Sequence, residues 1–202
     1  GETIHAYTWS GGHESTWSEA GKQINVNGGS YSKQFDLSYL LEGSTFETVG
    51  SRYEVRPAQV VEIDGVIYSY LRNAIAGDYR GKTIKLLSNV TISDGNISLG
   101  GKYHGDATTL DLNGHTLSFA NGTQLDITGG GTAVVIKNGS IHRTDDPSTA
   151  DNTAFAISQT NRTTLTIENV TIEGKYGIYC YGGTLQITKA TIASTGWSIA
   201  VT

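Results

Sequence analysis

The sequence predicts an all-β chain, a right-handed parallel β-helix (a solenoid) closed by a small hairpin-plus-helix cap. Three observations predict it. First, 26 Gly and 11 Tyr stand against 2 Pro and no Met in 202 residues, and with frequent Thr, Ser and Asn this composition favours strands joined by tight turns. Second, apolar residues recur at strand spacing along the whole chain, which also argues against disorder. Third, one eight-residue pattern returns in the second half: apolar-x-apolar, three mostly polar residues, Thr or Ser, then apolar.

That pattern appears in "LDLNGHTL", "VVIKNGSI", "LTIENVTI" and "LQITKATI", which start at Leu110, Val134, Leu165 and Leu185 with spacings of 24, 31 and 20 residues. A unit of this length, made of a short strand, a tight turn and another strand, is the mark of a solenoid. Helical periodicity is missing from the units, which excludes ankyrin-like and HEAT-like repeats, and the Leu consensus is too thin for leucine-rich repeats. In a parallel β-helix each rung stacks on the next at about 4.8 Å. Val, Ile, Leu and Ala point inward in ladders, Asn and Gly take the corners, and Thr faces solvent. Cys180, two residues after Ile178, reads as a small inward-facing residue. The largest insertion between rungs is "HRTDDPSTADNT", from His142 to Thr153.

Ahead of the rungs, "VVEIDGVIY" reads as a hairpin around Asp64-Gly65. Leu71, Ala74 and Ile75 then follow at helical spacing, with Ser69 as the expected N-cap. A short amphipathic helix here covers the open edge that a solenoid must protect. The expected organisation is therefore 1–57 as terminal rungs and closing cap, 58–81 as hairpin and capping helix, and 82–202 as β-helix rungs.

The segments "DGVIYSYLRNAI", "GKTIKLLSNVTI" and "TLDLNGHTLS", with "INVNGGSYSKQFDLSYLLEGSTFETVGSRYEVRP" as a closing element, resemble the β-helix (pectate-lyase-like) repeat modules of large surface and secreted bacterial proteins, mainly of gut Firmicutes. With the rungs, these segments cover most of the chain. The resemblance implies a fold and a secreted or cell-surface setting, with adhesion or glycan contact as the usual role; it implies no particular activity.

In that family the "GGSYS" to "YEVRP" segment follows the rungs, whereas here it occupies residues 28–57. Read from the last residue into the first, "SIAVT" and "GETIHA" align with "GIYCYGGTLQI". Ile199 falls on Ile178, Val201 on Cys180, Thr202 on Tyr181, Gly1 on Gly182, Thr3 on Thr184 and Ile4 on Leu185. "INVNGGSY" likewise matches "VVIKNGSI", with Ile24 on Val134 and Val26 on Ile136. Five to seven rungs would separate the two ends of a stack by roughly 25–35 Å, yet Pro57 and Ala58 are directly bonded. The expectation is a head-to-tail contact between copies, in which Ile199, Val201 and Thr202 of one meet Gly1, Thr3 and Ile4 of another, giving an open filament unless a ring closes. The plainer alternative is a tandem-repeat protein divided out of phase, with ragged ends.

Several function classes are disfavoured. A net charge of -5 offers no basic face for nucleic acid. One cysteine excludes an internal disulfide framework and a cysteine zinc site. No apolar run is long enough to span a membrane, and no signal peptide is recognised. The chain opens on Gly1 rather than Met, as a processed or tag-cleaved chain would, which leaves room for a lost export signal. Five Asn-x-Ser/Thr sequons follow from Asn corners and Thr strands, and no glycan is assigned to them. No phosphate loop, nucleophile elbow or cofactor fingerprint occurs.

Parallel β-helices include pectate lyases and polygalacturonases, so a polysaccharide lyase or glycoside hydrolase is the alternative function. Such hydrolases need carboxylates converging on one groove. The nearest signal is Asp145, Asp146 and Asp151 with His142 and Arg143, where Arg143 would be the base of a lyase and the acidic residues a weak Ca²⁺ site; Arg162 is a second candidate base. The pair in "TDDPS" is equally a turn sequence, and "NGHT" (113–116) lacks the second Gly of a catalytic Gly-His-Gly. In "HAYTWSGGHESTW", Tyr7, Trp9 and Trp17 offer flat faces for stacking on sugar rings. His5, His13 and Glu14 in the same stretch match no familiar metal spacing. No cofactor is expected. The expected function is a non-enzymatic structural and adhesive module that joins copies of itself and contacts glycans.

Overall fold

The computed structural model describes residues 7–8, 18–19, 26, 28–34, 40, 44–120, 122–144, 155–160 and 162–202. The chain divides into two compact units, Gly1–Gln59 and Val60–Thr202.

In the first unit, β1 (Tyr7–Thr8) pairs antiparallel with β2 (Ser18–Glu19). A three-stranded antiparallel sheet has the order β3 (Gly29–Tyr31), β5 (Arg52–Arg56), β4 (Thr45–Val49). Arg52 ties β5 to β3 by donating to Ser30 Oγ at 2.7 Å and to the Ser30 carbonyl at 2.8 Å. Arg56 forms an ion pair with Glu47 across β5 and β4. "NGGSY" carries the repeat pattern in sequence, but here β3 is paired antiparallel. Its neighbours are the strands of the following hairpin, which satisfy its backbone locally.

The second unit opens with the expected hairpin, β6 (Val61–Ile63) against β7 (Val66–Tyr68). Asp64 (φ 51°) and Gly65 (φ 79°) take the two left-handed positions that a tight Asp-Gly turn requires. The helix α1 (Leu71–Ile75) buries Leu71 and Ala74, as their spacing predicts. Its N-cap is Tyr70, in an extended conformation and without a side-chain cap bond, rather than Ser69. A five-residue helix is held by the apolar face it buries more than by its cap.

Thirteen strands follow, all paired in parallel with one another. They are β8 (Thr83–Leu86), β9 (Val90–Ile92), β10 (Ile97–Gly100), β11 (Thr108–Asp111), β12 (Thr116–Phe119), β13 (Leu125–Thr128), β14 (Ala133–Arg143), β15 (Ile157–Gln159), β16 (Thr164–Gly174), β17 (Ile178–Cys180), β18 (Thr184–Thr188), β19 (Thr191–Ser194) and β20 (Ile199–Val201). The chain alternates between two sheets. One is five-stranded, in the order β10-β13-β15-β17-β20. The other contains β8-β11-β14-β16-β18, with β9 and β12 completing a second row on β14 and β19 on β16, and β6 joins it antiparallel to β8. The fold is thus all-β and dominated by parallel pairing.

Register follows the repeat pattern closely. Val134 pairs with Leu165 and Leu165 with Leu185, while Ile141 pairs with Ile172 and Ile172 with Ile192. The first repeat departs from it: Leu110 lies beside Ile136, not Val134, although Leu117 keeps its place beside Ile141. The difference is taken up at the corner, where residues 112–115 face only Asn138 and Gly139. Corners carry the left-handed residues that the bend needs: Asn113, Asn138, Asn169 and Lys189 in one column, and Gly131, Arg162 and Gly182 in another. Asn is among the few L-residues that enter this region at low cost, and Asn138 Nδ2 also donates to Asp111 Oδ1 at 3.2 Å. The core is the set of inward columns, and Cys180 belongs to it as expected.

Candidate functional site

Two features of the second unit coincide at its β18–β20 side. The first is an uncovered edge. Ile97, Leu125, Ile157, Ile178 and Ile199 stand in one register column; the first four are buried, while Ile199 is 42% exposed. In the next column Leu99, Ile127, Gln159 and Cys180 are buried, and Val201 is 71% exposed. In the other sheet Ile84, Leu110, Ile136 and Ile167 are buried, and Ile187 is 39% exposed. The residue types and the register are the same, so the exposure arises because nothing described lies on the outer side. Strands β18, β19 and β20 each pair on one side only among the described residues. At the opposite edge Val61, Ile63 and Leu71 of the hairpin and helix are buried. Covering the three exposed side chains would gain roughly 3 kcal/mol, taking about 1 kcal/mol for each half-buried aliphatic.

The second feature is an aromatic ladder. Phe155, Tyr176 and Trp197 each stand two residues before the first inward residue of β15, β17 and β20, and they lie 21 residues apart. Backbone bonds from Ala156 N to the Tyr176 carbonyl and from Gly177 N to the Trp197 carbonyl, both 3.0 Å, hold them side by side. Ring centroids are 5.3 Å apart for Phe155 and Tyr176 and 6.1 Å for Tyr176 and Trp197, and Tyr179 stacks on Phe155 at 5.2 Å. Trp197 is 67% exposed and Tyr181 56%. Earlier strands have nothing comparable, because Gly95 and Thr123 hold the equivalent positions. The outward column runs Ser98, Asp126, Ser158 and only then Tyr179. The same face is polar at its other end, where Asn96 and Gln124 both donate to Asp126, at 2.9 and 2.6 Å.

No family model, no curated protein and no solved structure matches the chain.

The structure brings together only part of what the sequence singles out. Ile199, Val201 and Thr202 form the uncovered edge, and Thr202 N donates to the Cys180 carbonyl at 3.2 Å. Gly1, Thr3 and Ile4 lie outside the described residues, as do Trp9, Trp17, Asp145, Asp146 and Asp151; Tyr7 is described only as backbone of β1. Arg143 is buried, with Nε donating to the Thr123 carbonyl at 3.1 Å. Its cation thus braces two repeats from within. His142 extends β14 in register with Glu173. Arg162 is an exposed corner residue with φ 55°. Among the described residues no group of three His, Cys, Asp or Glu is placed to hold a metal ion. The ladder was missed in the sequence because outward positions do not follow the inward apolar pattern. The equal spacing of 155, 176 and 197 was the available signal.

Proposed function

We propose that the chain is a non-enzymatic structural and adhesive module, a right-handed parallel β-helix whose uncovered edge receives the opening β segment of a second copy. Alternation between two parallel sheets, in-register columns and left-handed corners support the coiled reading. The observation that carries the self-association is the loss of burial at Ile187, Ile199 and Val201, whose register mates one strand away are buried. An incoming strand would satisfy the free backbone edge and cover this apolar surface together. The opening residues are the committed occupant because Thr3 and Ile4 repeat Thr184 and Leu185, and Ile24 and Val26 repeat Val134 and Ile136. The β1–β2 pairing spans two residues on each strand, so exchanging it for a longer parallel ladder sacrifices little. Such a contact is heterologous and propagates.

The sequence resemblance supports a secreted or surface-attached bacterial setting, in which a stiff self-joining rod that contacts glycans serves adhesion. The buried, backbone-bound Arg143 supports the structural reading over the lyase one. Negative-stain electron microscopy over a concentration series tests the assembly, with rods that lengthen with concentration as the expected result and uniform small particles at every concentration as the contrary one. Assays for reducing ends and for unsaturated uronates on pectins and mucin-type glycans are expected to stay at background; sustained release would favour the enzyme.

A further inference from the structure

We propose that the ladder of Phe155, Tyr176, Tyr179 and Trp197 is a binding platform for an extended, uncharged β-1,4-linked glycan. The inference rests on the coiled reading above, because the ladder exists only if successive repeats stack in register.

Three properties of the ladder select this ligand. The first is periodicity. One ring per repeat, at centroid steps of 5.3 and 6.1 Å, is close to the advance of one pyranose along an extended β-1,4-linked chain, so consecutive sugars meet consecutive rings. The second is surface chemistry. Aromatic faces are the negative ends of their quadrupoles and attract the polarised C–H face of a sugar. Hydroxyls stand at the rim, where Tyr179 Oη and Thr202 Oγ1 lie 3.2 Å apart and Ser194 Oγ and Ser198 Oγ 2.9 Å apart. These groups can donate to or accept from the sugar's equatorial hydroxyls. The third is charge complementarity. Asp126 lies two strands from Tyr179 on the same sheet face, and the chain carries a net charge of -5, so a polyanionic chain would be repelled and a neutral one accepted. An open row of rings also suits a long polymer, whereas small free ligands are usually held in concave sites.

The test is isothermal titration calorimetry of the intact chain, held dilute, with cellohexaose and xylohexaose, and with α-linked maltohexaose as the control for geometry. Saturable heat is expected with the β-1,4-linked hexamers, with affinity falling about tenfold in Trp197→Ala and no change in melting temperature, since Trp197 is 67% exposed. Tyr179→Ser, which installs the residue found at Ser158, should weaken binding as well. Absence of saturable heat with both β-linked hexamers, equal affinity for maltohexaose, or undiminished binding in Trp197→Ala would each overturn the inference. A nuclear Overhauser contact between the Tyr176 and Trp197 rings without sugar reads the stacking itself. If it is present and binding fails, only the glycan inference falls; if it is missing, the coiled reading beneath it falls too.

Discussion

Gly139 tests the close stacking of repeats. Its backbone is not in the left-handed region, so alanine is tolerated there conformationally. A Cβ added at Gly139 would stand 2.5 Å from the His115 carbonyl oxygen and 2.5 Å from Leu112 Cβ. Neither is the tip of a flexible side chain, so relief requires the corner at residues 112–115 to move by about 1 Å. That displacement strains the bond from Ser140 N to the His115 carbonyl, now 3.1 Å. Overpacking costs about 1–3 kcal/mol and a weakened hydrogen bond about 1 kcal/mol, while reduced freedom of the unfolded chain returns about 0.4–1 kcal/mol. Gly139→Ala should therefore lose roughly 2–3 kcal/mol. At about 2–4 °C per kcal/mol for a chain of this size, the melting temperature should fall by roughly 4–12 °C. Two controls separate the causes. Gly182 has φ 67° and open space around its Cβ position, so its alanine variant should lose about 1 kcal/mol from backbone strain alone. Gly77 has open space and no left-handed φ, so Gly77→Ala should be neutral or gain about 0.5 kcal/mol. Urea and thermal unfolding followed by circular dichroism provide the assay. A Gly139→Ala variant as stable as Gly77→Ala would refute the close approach of residues 112–115 to Gly139.

Other perturbations reach other parts of the account. Lys189→Asn should gain about 0.5–1 kcal/mol, because Lys189 sits at φ 53° in a column otherwise held by asparagines; hydrogen exchange of the Thr188–Thr191 amides would register the gain locally. The Arg72 guanidinium, hydrogen-bonded to Asp94, holds the Asp94 carboxyl below its usual range. A lowered folded-state pKa gives stability that is present above the unfolded value and is lost as pH falls through the folded one. Arg72→Gln should therefore flatten the acid limb of the melting-temperature profile below about pH 4, and an unchanged limb would count against the pair. Cys180 is buried, so a thiol reagent should label it only as fast as the chain opens; rapid labelling in native buffer would contradict its inward position. Ile178→Lys should unfold the second unit, whereas Ile199→Lys, in the same column but 42% exposed, should leave its melting temperature within a few degrees.

How much was legible in the sequence depended on which face a residue serves. Val134, Leu165 and Leu185 could be aligned because inward positions must be apolar at period two, and a slip of one residue would expose the whole set. Asp64-Gly65 was legible because few dipeptides accept two left-handed positions in succession. Leu110 was placed two residues out of register, since the pattern does not reveal whether Leu112 ends a strand or fills a longer corner. The helix was found from the spacing of Leu71 and Ala74, but Ser69 was taken for its cap because cap preference is weak beside the burial of an apolar face. Arg143 looked like a loop cation in sequence. Its burial depends on the Thr123 carbonyl, twenty residues earlier in the chain, and no local pattern encodes that. Phe155, Tyr176 and Trp197 went unremarked because outward positions are free to vary, and only the stacking of three repeats turns an equal spacing into a ladder.

The central claim is that the β18–β20 edge is completed by another copy. Multi-angle light scattering over a wide concentration range tests it most directly, on the native chain and on Val201→Lys. The account predicts a native mass that climbs with concentration and a variant that remains at the mass of one chain with an unchanged melting temperature. A native chain of one-copy mass at every concentration would contradict it.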